Sequence, residues 1–357
     1  MSGSLLRLVC TAAAAVAAQA VLVAAPAAAA PEPDPVVADR PVAELLTDLR
    51  RLYREAEKAT ETYNATEEQL KRQRAEVTRL DGELARARLS LHDSRGAAGR
   101  LARQQYQNST DISPYLRLLL ARDPQHALDQ GHVIGRLARG RAEAVGRLTG
   151  TERRADELAR EAREALDRRL TLAADSRKQR DDVTGRLNDV EELLASLTPE
   201  QLAALADFEK RDIDKAQQQV MSAPGAPGTA PPEPTRAGDA ALRYAVQQIG
   251  KPYEWGAEGP GTYDCSGLTS EAWASAGTPI PRTSQEQWAR LPHIPLSALR
   301  PGDLVVYHPD ATHVALYLGA GMIVHAPRTG ERITVAPIAT LPILGAVTPQ
   351  ARQPNPL

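Results

Sequence analysis

The chain has 357 residues, a formal net charge of −2 and 25% charged residues. This length suits two or three domains of about 100–200 residues each. The balanced charge argues against a nucleic-acid binder, which would need a basic surface to neutralise phosphates. Aromatic residues make up only 4% of the chain, and eight of them, including all three tryptophans, follow residue 240. We therefore expect the packed globular core to be C-terminal.

The first 29 residues have the organisation of a secretory signal peptide. Arg7 precedes an almost wholly apolar run at 8–25, and small residues follow at 27–30. A retained membrane span is the weaker alternative, because the run is short and no stop-transfer pattern follows it. We expect residues 1–29 to be removed and the mature protein to be secreted.

Removal of this segment would leave a single cysteine in the chain. Cys10 leaves with the signal peptide and Cys265 remains. A lone thiol in an oxidising compartment cannot form an intramolecular disulfide. Cys265 is therefore either an inert buried residue or a reactive group.

Residues 41–221 have the pattern of a long helical arm, with 32 Lys and Arg against 32 Asp and Glu. From Leu45 to Leu91, alternating steps of four and three residues land mainly on apolar side chains. This a/d heptad requires a partner helix. A second, weaker heptad runs from Leu137 to Leu197. We expect the two to pair as an antiparallel coiled-coil hairpin.

Residues 108–124 interrupt the heptad between the two helices and hold a dense apolar cluster, called here the tip cluster. Its members are Ile112, Tyr115, Leu116, Leu118, Leu119 and Leu120. A plug that closes the end of the hairpin would explain them. A docking patch would explain them too, since an apolar patch far from any core often marks an interaction site.

The end of the arm and the linker that follows have clear local signals. Thr198 as N-cap and Pro199 in the first turn predict a last helix that ends near Met221. Residues 222–236 contain five prolines and no large apolar side chains until the next element, which indicates a semi-extended linker. Residues 237–357 then form one further domain.

The C-terminal domain is predicted to have an α+β fold. Helices are expected at 240–249, closed by a glycine, and at 265–276. A further helix is capped by the Thr283/Ser284 pair, and Ser284 with Gln287 fits a capping box. Short apolar runs between 303 and 347, separated mostly by Gly or Pro, predict an antiparallel meander of five strands.

Cys265 lies at the start of a predicted helix, where free N–H groups and the macrodipole favour a thiolate. Asp264 opposes this with its negative charge, so the thiol needs a neighbouring imidazole. If residues 319–321 form a three-residue hairpin loop, His313 and His325 lie on one face of the sheet as diagonal neighbours. A two-residue loop would put them on opposite faces. The first geometry predicts a Cys–His–His arrangement, in which His313 takes the thiol proton and His325 orients His313.

Several residues have alternative interpretations. The cysteine and the two histidines could ligate zinc, although a structural site needs a fourth ligand and none is evident. Arg282 is expected to belong to the helix cap more than to a substrate contact. Four other histidines, His308, His293, His126 and His132, are expected to be solvated. The tryptophans, Trp255, Trp273 and Trp288, are expected to pack in the core.

Six short motifs in this domain resemble those of the NlpC family of papain-like cell-wall cysteine peptidases. They are GKPYEWG at 250–256, DCSGL at 264–268, PRTS at 281–284, RPGDL at 300–304, HVALYLG at 313–319 and VHA at 324–326. The resemblance covers about residues 237–348 and implies a papain-like fold, in which the helix that bears the cysteine packs on an antiparallel sheet. The long approach to His313 at 308–312 departs from the family pattern and could reshape the edge of the cleft.

The resemblance also implies an activity. It implies hydrolysis of peptidoglycan stem peptides, at the bond between γ-D-glutamate and a diamino acid, without a cofactor. Cys265 would be the nucleophile, His313 the base and His325 the orienting group. Tyr253, Asp264 and Ser266 match positions that line the substrate side of such sites.

Other functions and a partner remain to be distinguished. An amidase would cut between muramic acid and L-alanine, and a non-catalytic scaffold would only bind the wall. The arm is similar to N-terminal regions of division-associated hydrolases, which implies that it regulates or positions the enzyme. That similarity also implies that the tip cluster docks on a membrane protein with an FtsX-like extracellular domain.

Overall fold

The computed structural model describes residues 40–107, 124–228 and 233–350. The predicted signal peptide, the tip cluster and the middle of the linker lie outside the described residues. Among the helices that are described, none combines the length and the apolar character needed to cross a bilayer.

The described residues of the arm form three helices. Helix α1 (Val42–Gln107) and helix α2 (Pro124–Ala195) pair antiparallel, and α3 (Pro199–Ser222) follows a short turn. The predicted heptad positions form the seam, so Val77, Leu80 and Leu84 pack against Leu158 and Ala165. The long N-terminal helices predicted from the sequence are thus confirmed, and their coiled-coil character stays a prediction.

Helix α3 begins as the sequence predicted. The Thr198 hydroxyl accepts the Gln201 backbone N–H at 3.2 Å, and the Gln201 side chain accepts the Thr198 N–H at 3.0 Å. Pro199 occupies the first turn, where a backbone N–H is not needed. The helix extends to Ser222, and the next helix starts at Arg236, so the linker is slightly shorter than predicted.

The described residues of the C-terminal domain form three α-helices and a six-stranded antiparallel sheet, with two short 3₁₀ helices. The helices are α4 (Arg236–Gln247), α5 (Cys265–Ser275) and α6 (Ser284–Arg290). The strands are β1 (His293–Ile294), β2 (Leu304–Tyr307), β3 (His313–Gly319), β4 (Met322–His325), β5 (Thr334–Pro337) and β6 (Ile343–Val347). Their order in the sheet is β1-β6-β2-β3-β4-β5, which confirms the predicted α+β class.

The predicted five-strand meander is wrong for its last strand. Strands β2 to β5 do form a meander, but β6 crosses back and pairs with β2, with Val305 opposite Ala346. Ala346 and Val347 are buried there, whereas β5 lies at the sheet edge with Thr334 and Val335 exposed. Burial of the apolar end of β6 favours the central position, and this choice of edge is not encoded in the local pattern.

The two faces of the sheet are covered by different parts of the chain. Helices α4 and α5 pack on one face, where Leu268 and Trp273 meet Val314 and Leu316. On the other face, Val220 of α3 packs against the cluster formed by the opposite side chains of the strands. The last helix of the arm is therefore part of the same packed body as the sheet.

Candidate active site

Cys265 is the first residue of α5, as predicted, and it is 3% exposed. Asp264 is the N-cap, and its Oδ1 accepts the Gly267 backbone N–H at 2.6 Å. The thiol also lies against β3, where it interacts with the backbone N–H of Val314. Because Val314 directly follows His313, the start of α5 lies beside the part of β3 that carries the first histidine.

His313 and His325 share one face of the sheet, which confirms the prediction. His313 Nε2 lies 3.1 Å from His325 Nδ1. The predicted register holds, with Leu316 opposite Val324, but the loop itself is shorter than predicted. Gly319 pairs with Met322, and a bulge between Tyr317 and Gly319 absorbs the extra residue. The bulge is why a two-residue loop still leaves both imidazoles on the same face.

The hydrogen bond between the rings leaves His313 Nδ1 for other chemistry. This buried nitrogen has no hydrogen-bond partner among the described residues. Its neighbour is Glu57 Oε1 of α1, at 3.4 Å. If Nε2 donates to His325, then Nδ1 carries a lone pair and can accept a proton.

A second arm residue, Glu61, covers the thiol. Its Oε1 lies 3.7 Å from Cys265 Sγ and accepts the Ser266 hydroxyl at 2.7 Å. Its Oε2 accepts the Ser284 backbone N–H at 2.9 Å. Asn64, one turn further along α1, donates to Asp264 Oδ2 at 3.0 Å. The helix therefore fills the cleft in front of the cysteine.

The loop at 308–312 is part of the surface on which α1 docks. Asp310 pairs with Arg54 at 3.2 Å and lies 3.9 Å from Lys58. His308 was expected to be solvated, and this is wrong, because it is 9% exposed and its Nε2 lies 3.9 Å from Glu57 Oε2. A loop that is solvated in a separate domain becomes covered when a helix packs on it.

The residues expected to line the substrate side lie beneath the same helix. Asp264 and Ser266 are fully buried, and Tyr253 is 8% exposed. Asp264 and Ser266 contact Asn64 and Glu61 of α1, respectively. The substrate-binding role of all three residues stays a prediction, and the arm occupies polar atoms of Asp264 and Ser266.

Arg282 has a different place from the one expected. Its guanidinium forms a bidentate pair with Asp264, at 2.7 and 3.0 Å, and takes no part in the cap of α6. Thr283 is the N-cap, with its hydroxyl accepting the Glu286 N–H at 3.3 Å. The predicted Ser284–Gln287 capping box is wrong, because Gln287 turns inward and donates to the Pro281 carbonyl.

Burial and neighbouring acids favour the neutral forms of the Cys265 thiol and the His313 imidazole beneath α1. Burial raises the pKa of the Cys265 thiol well above its usual value, and Glu61, Asp264 and Glu57 raise it further. Burial also lowers the pKa of His313 to about 4, against the opposing effect of Asp264. A thiolate–imidazolium pair is therefore disfavoured while α1 is docked.

The arm residues at the site were missed by sequence reasoning. Arg54, Glu57, Glu61 and Asn64 lie at intervals of three, four and three residues, and so share one helix face. They fall outside the heptad seam, where charged residues are expected on any coiled coil. Only a row of apolar side chains on this face would have indicated that it packs against another part of the chain, and the side chains here are polar.

In the three described ranges, no group of three or more His, Cys, Asp or Glu side chains is arranged to hold a metal ion. The thiol and the two imidazoles are instead engaged with Glu61, with Glu57 and with each other.

Comparison with known proteins points to one family. Residues 250–345 match the NlpC/P60 family model. A "Probable endopeptidase" of Corynebacterium glutamicum is 41% identical over 128 residues, which are 36% of this chain and 60% of that relative. The "Probable endopeptidase Rv2190c" of Mycobacterium tuberculosis is 29% identical over 352 residues, with 85% of this chain and 88% of the relative covered.

Solved structures give the same family name. The crystal structure of the NlpC/p60 domain of the peptidoglycan hydrolase SagA is 32% identical to the matched part of this chain. The match covers 31% of this chain and 97% of that chain, with a TM-score of 0.30. The match to the corynebacterial relative covers about a third of this chain, whereas the match to the mycobacterial relative covers 85% and so extends into the arm region.

Proposed function

Because its C-terminal domain belongs to the NlpC/P60 family, we propose that this protein is a secreted peptidoglycan endopeptidase held inactive by its own helical arm. The observation that carries the proposal is the position of Glu61. Its carboxylate lies 3.7 Å from Cys265 Sγ and accepts hydrogen bonds from the Ser266 hydroxyl and the Ser284 N–H. The same contact suggests both what the site accepts and how it is closed.

The proposed mechanism is acyl-enzyme hydrolysis. His313 Nδ1 takes the thiol proton, Cys265 Sγ attacks the peptide carbonyl, and the imidazolium then protonates the leaving amine. His313 next removes a proton from water, which hydrolyses the thioester. The 3.1 Å contact with His325 fixes the tautomer of His313. The Cys265 backbone N–H, at the start of α5, is suited to stabilise the oxyanion.

Glu61 also favours one bond over the alternatives. The scissile bond of a γ-D-glutamyl peptide is made through the side-chain carbonyl, so a free α-carboxylate remains a few atoms away. The Ser266 hydroxyl and the Ser284 N–H hold a carboxylate in such a position. The bond between muramic acid and L-alanine has no carboxylate beside it. We therefore favour a D,L-endopeptidase over an amidase.

Two fragments and a defined substrate test this function. Residues 199–357 keep α3 on the sheet and remove the helix that carries Glu57 and Glu61, and the shorter fragment 237–357 removes the whole arm. We expect either fragment to cut a purified muropeptide after γ-D-glutamate, as read from product masses, and the full chain to cut it slowly. Release of an intact stem peptide would indicate an amidase, and no product from any form would indicate a wall-binding scaffold.

The two histidines should differ in their effect on turnover. In residues 199–357, we expect His313→Ala to lose at least about 10³-fold in kcat/KM, because it removes the proton acceptor. His325→Ala should lose only about 10²-fold, since this ring orients the base and transfers no proton itself. His293→Ala is the control, because His293 is exposed and stacks on Trp288 away from the cleft. Equal losses at 313 and 325 would contradict these roles.

Closure of the arm should weaken as the pH rises. Burial raises the pKa of Glu57 from 4.5 to about 7, and burial with the nearby Asp264 raises that of Glu61. The closed form thus binds protons that the open form releases. Protonation of these two carboxyls stabilises the closed form fully below about pH 4.5, and this stabilisation is lost as the pH rises through about 7. We expect the ratio of full-chain to 199–357 activity to increase between pH 5 and pH 8. A constant ratio would contradict it.

Secretion and the partner remain proposals. The signal peptide at 1–29 and the tip cluster at 112–120 lie outside the described residues. We propose that docking of the tip on a membrane protein with an FtsX-like extracellular domain releases the arm. Partner pull-down with Leu116→Asp plus Leu119→Asp tests it, and unchanged capture with folded helices would remove the docking role.

A further inference from the structure

Arg282 forms the most connected side-chain network next to the nucleophile. The side chain is 8% exposed, and its Nη1 and Nη2 donate to the two oxygens of Asp264. Nη1 also donates to the Ser266 hydroxyl at 2.8 Å, and Nε donates to Glu258 at 2.7 Å. Asp264 and Ser266 flank Cys265 in the chain, so the guanidinium contacts both neighbours of the nucleophile.

We propose that Arg282 is a positioning residue with two effects: it offsets the charge of Asp264 beside the Cys265 thiol, and it makes the Ser266 hydroxyl a donor toward substrate carboxylates. The proposal rests on the proposed function of the site. It assigns to Arg282 a control of reactivity and specificity that helix capping would not supply.

The electrostatic effect follows from the position of Asp264. As N-cap it must present a carboxylate to the Gly267 N–H at the start of α5, and it is fully buried. A buried negative charge next to the nucleophile disfavours the thiolate. The guanidinium pairs with both oxygens of this carboxylate, so its positive charge offsets part of the negative charge that acts on Sγ. The fold thereby keeps the cap and reduces its electrostatic penalty on the thiol.

The effect on Ser266 follows from hydrogen-bond counting. A hydroxyl has one proton, and its oxygen here accepts an N–H of Arg282 at 2.8 Å. Arginine cannot accept a hydrogen bond, so the hydroxyl proton must point elsewhere. It points to Glu61 Oε1 at 2.7 Å, in preference to Asp264 Oδ1 at 3.3 Å. When α1 leaves, the same proton is available to a substrate carboxylate.

The charge effect is tested on the full chain opened by Glu57→Arg plus Glu61→Arg, with iodoacetamide alkylation of Cys265 followed by mass spectrometry across pH. We expect Arg282→Gln to move the alkylation midpoint up by about one pH unit or more. Arg282→Lys keeps the charge and should leave the midpoint close to the parent. Asp264→Asn keeps a capping side chain and removes the negative charge, so its midpoint should move down.

The hydroxyl effect is tested with two peptides that differ only at the α-carboxylate of γ-D-glutamate, which is free in one and an amide in the other. We expect Arg282→Gln and Ser266→Ala each to reduce the preference for the free carboxylate about 10-fold in kcat/KM. Ser266→Ala should leave the alkylation midpoint unchanged, because it alters no charge.

The outcomes separate this proposal from the proposed function. Equal midpoints for Arg282→Gln and the parent, or equal shifts for the Gln and Lys variants, would overturn the charge effect. If circular dichroism shows that Arg282→Gln is unfolded, Asp264→Asn decides, and an unshifted midpoint there overturns it. Alkylation needs no turnover, so a chain that alkylates as expected but cuts no peptide would refute the proposed function and leave the role of Arg282 in thiol reactivity standing.

Discussion

Full-length protein carrying Glu57→Arg plus Glu61→Arg is expected to hydrolyse wall peptide at least about 100-fold faster than the unchanged chain. Glu61 is 1% exposed against Cys265, Ser266 and the Ser284 N–H, and Glu57 faces His313. Arginine at position 61 would bury a cation against the hydrogen-bond donors of Ser266 and Ser284, and arginine at position 57 would bury a second cation beside His313. Such burial costs several kcal/mol, and about 3 kcal/mol already changes the closed-to-open ratio by more than 100-fold.

The same helix provides a matched control for this prediction. Glu76 lies further along α1, and its contacts are surface pairs with Arg79. Glu76→Arg adds two charge units to α1, as each of the two substitutions does, but should leave the turnover unchanged. The rate of the doubly substituted chain should approach that of residues 199–357. If both full-length forms already cut as fast as the fragment, the arm does not inhibit the enzyme.

Cys265→Ala in residues 199–357 is expected to lower turnover by at least about 10⁴-fold. The variant removes the only group at the start of α5 that can form a thioester, and the remaining histidine pair has no nucleophile to activate. Turnover is measured on a defined muropeptide by product mass. Wild-type turnover in this variant would refute the proposed mechanism.

Two further measurements on the same fragment distinguish a thiol mechanism from the zinc alternative. Alkylation of Cys265 should abolish activity, while activity should persist in EDTA, because no step of the proposed mechanism uses a metal. Loss in EDTA that zinc restores would favour a metal site. The alanine variant should keep its circular dichroism spectrum, since a thiol at a cleft contributes little to the core compared with Leu268 or Trp273.

The features predicted from the sequence are those with a local cause. The heptad from Leu45 to Leu91 specified a paired helix, and Thr198 with Pro199 specified where the last arm helix begins. The prediction that His313 and His325 share a face depended on the register of the β3–β4 hairpin. The glycines of its loop indicated that register, even though a bulge made the loop shorter than predicted. These signals work because each concerns residues close together in the chain.

The features that were missed depend on contacts between distant segments. Glu57 and Glu61 contact residues more than 200 positions away, and on α1 they are indistinguishable from ordinary outward-facing acids. The role of Arg282 depends on Asp264, Ser266 and Glu258 meeting in space. The position of β6 depended on which edge of the sheet could bury its end. Periodicity contains no information on such pairings.

In the proposed inhibition by the arm, the packing of α3 on the sheet favours return of α1 to the active site after it has been displaced. Gln217 bonds to Gly321 and Ala339, and Val220 enters the apolar cluster on that face. If this contact holds while α1 swings away, α1 stays joined to the C-terminal domain through α2 and the turn before α3. Its local concentration is then of millimolar order, so an intrinsic affinity near 10⁻⁵ M would keep about 99% of molecules shut. A partner that displaces α1 must therefore remain bound to it. Hydrolysis of the wall would last only as long as that partner stays bound.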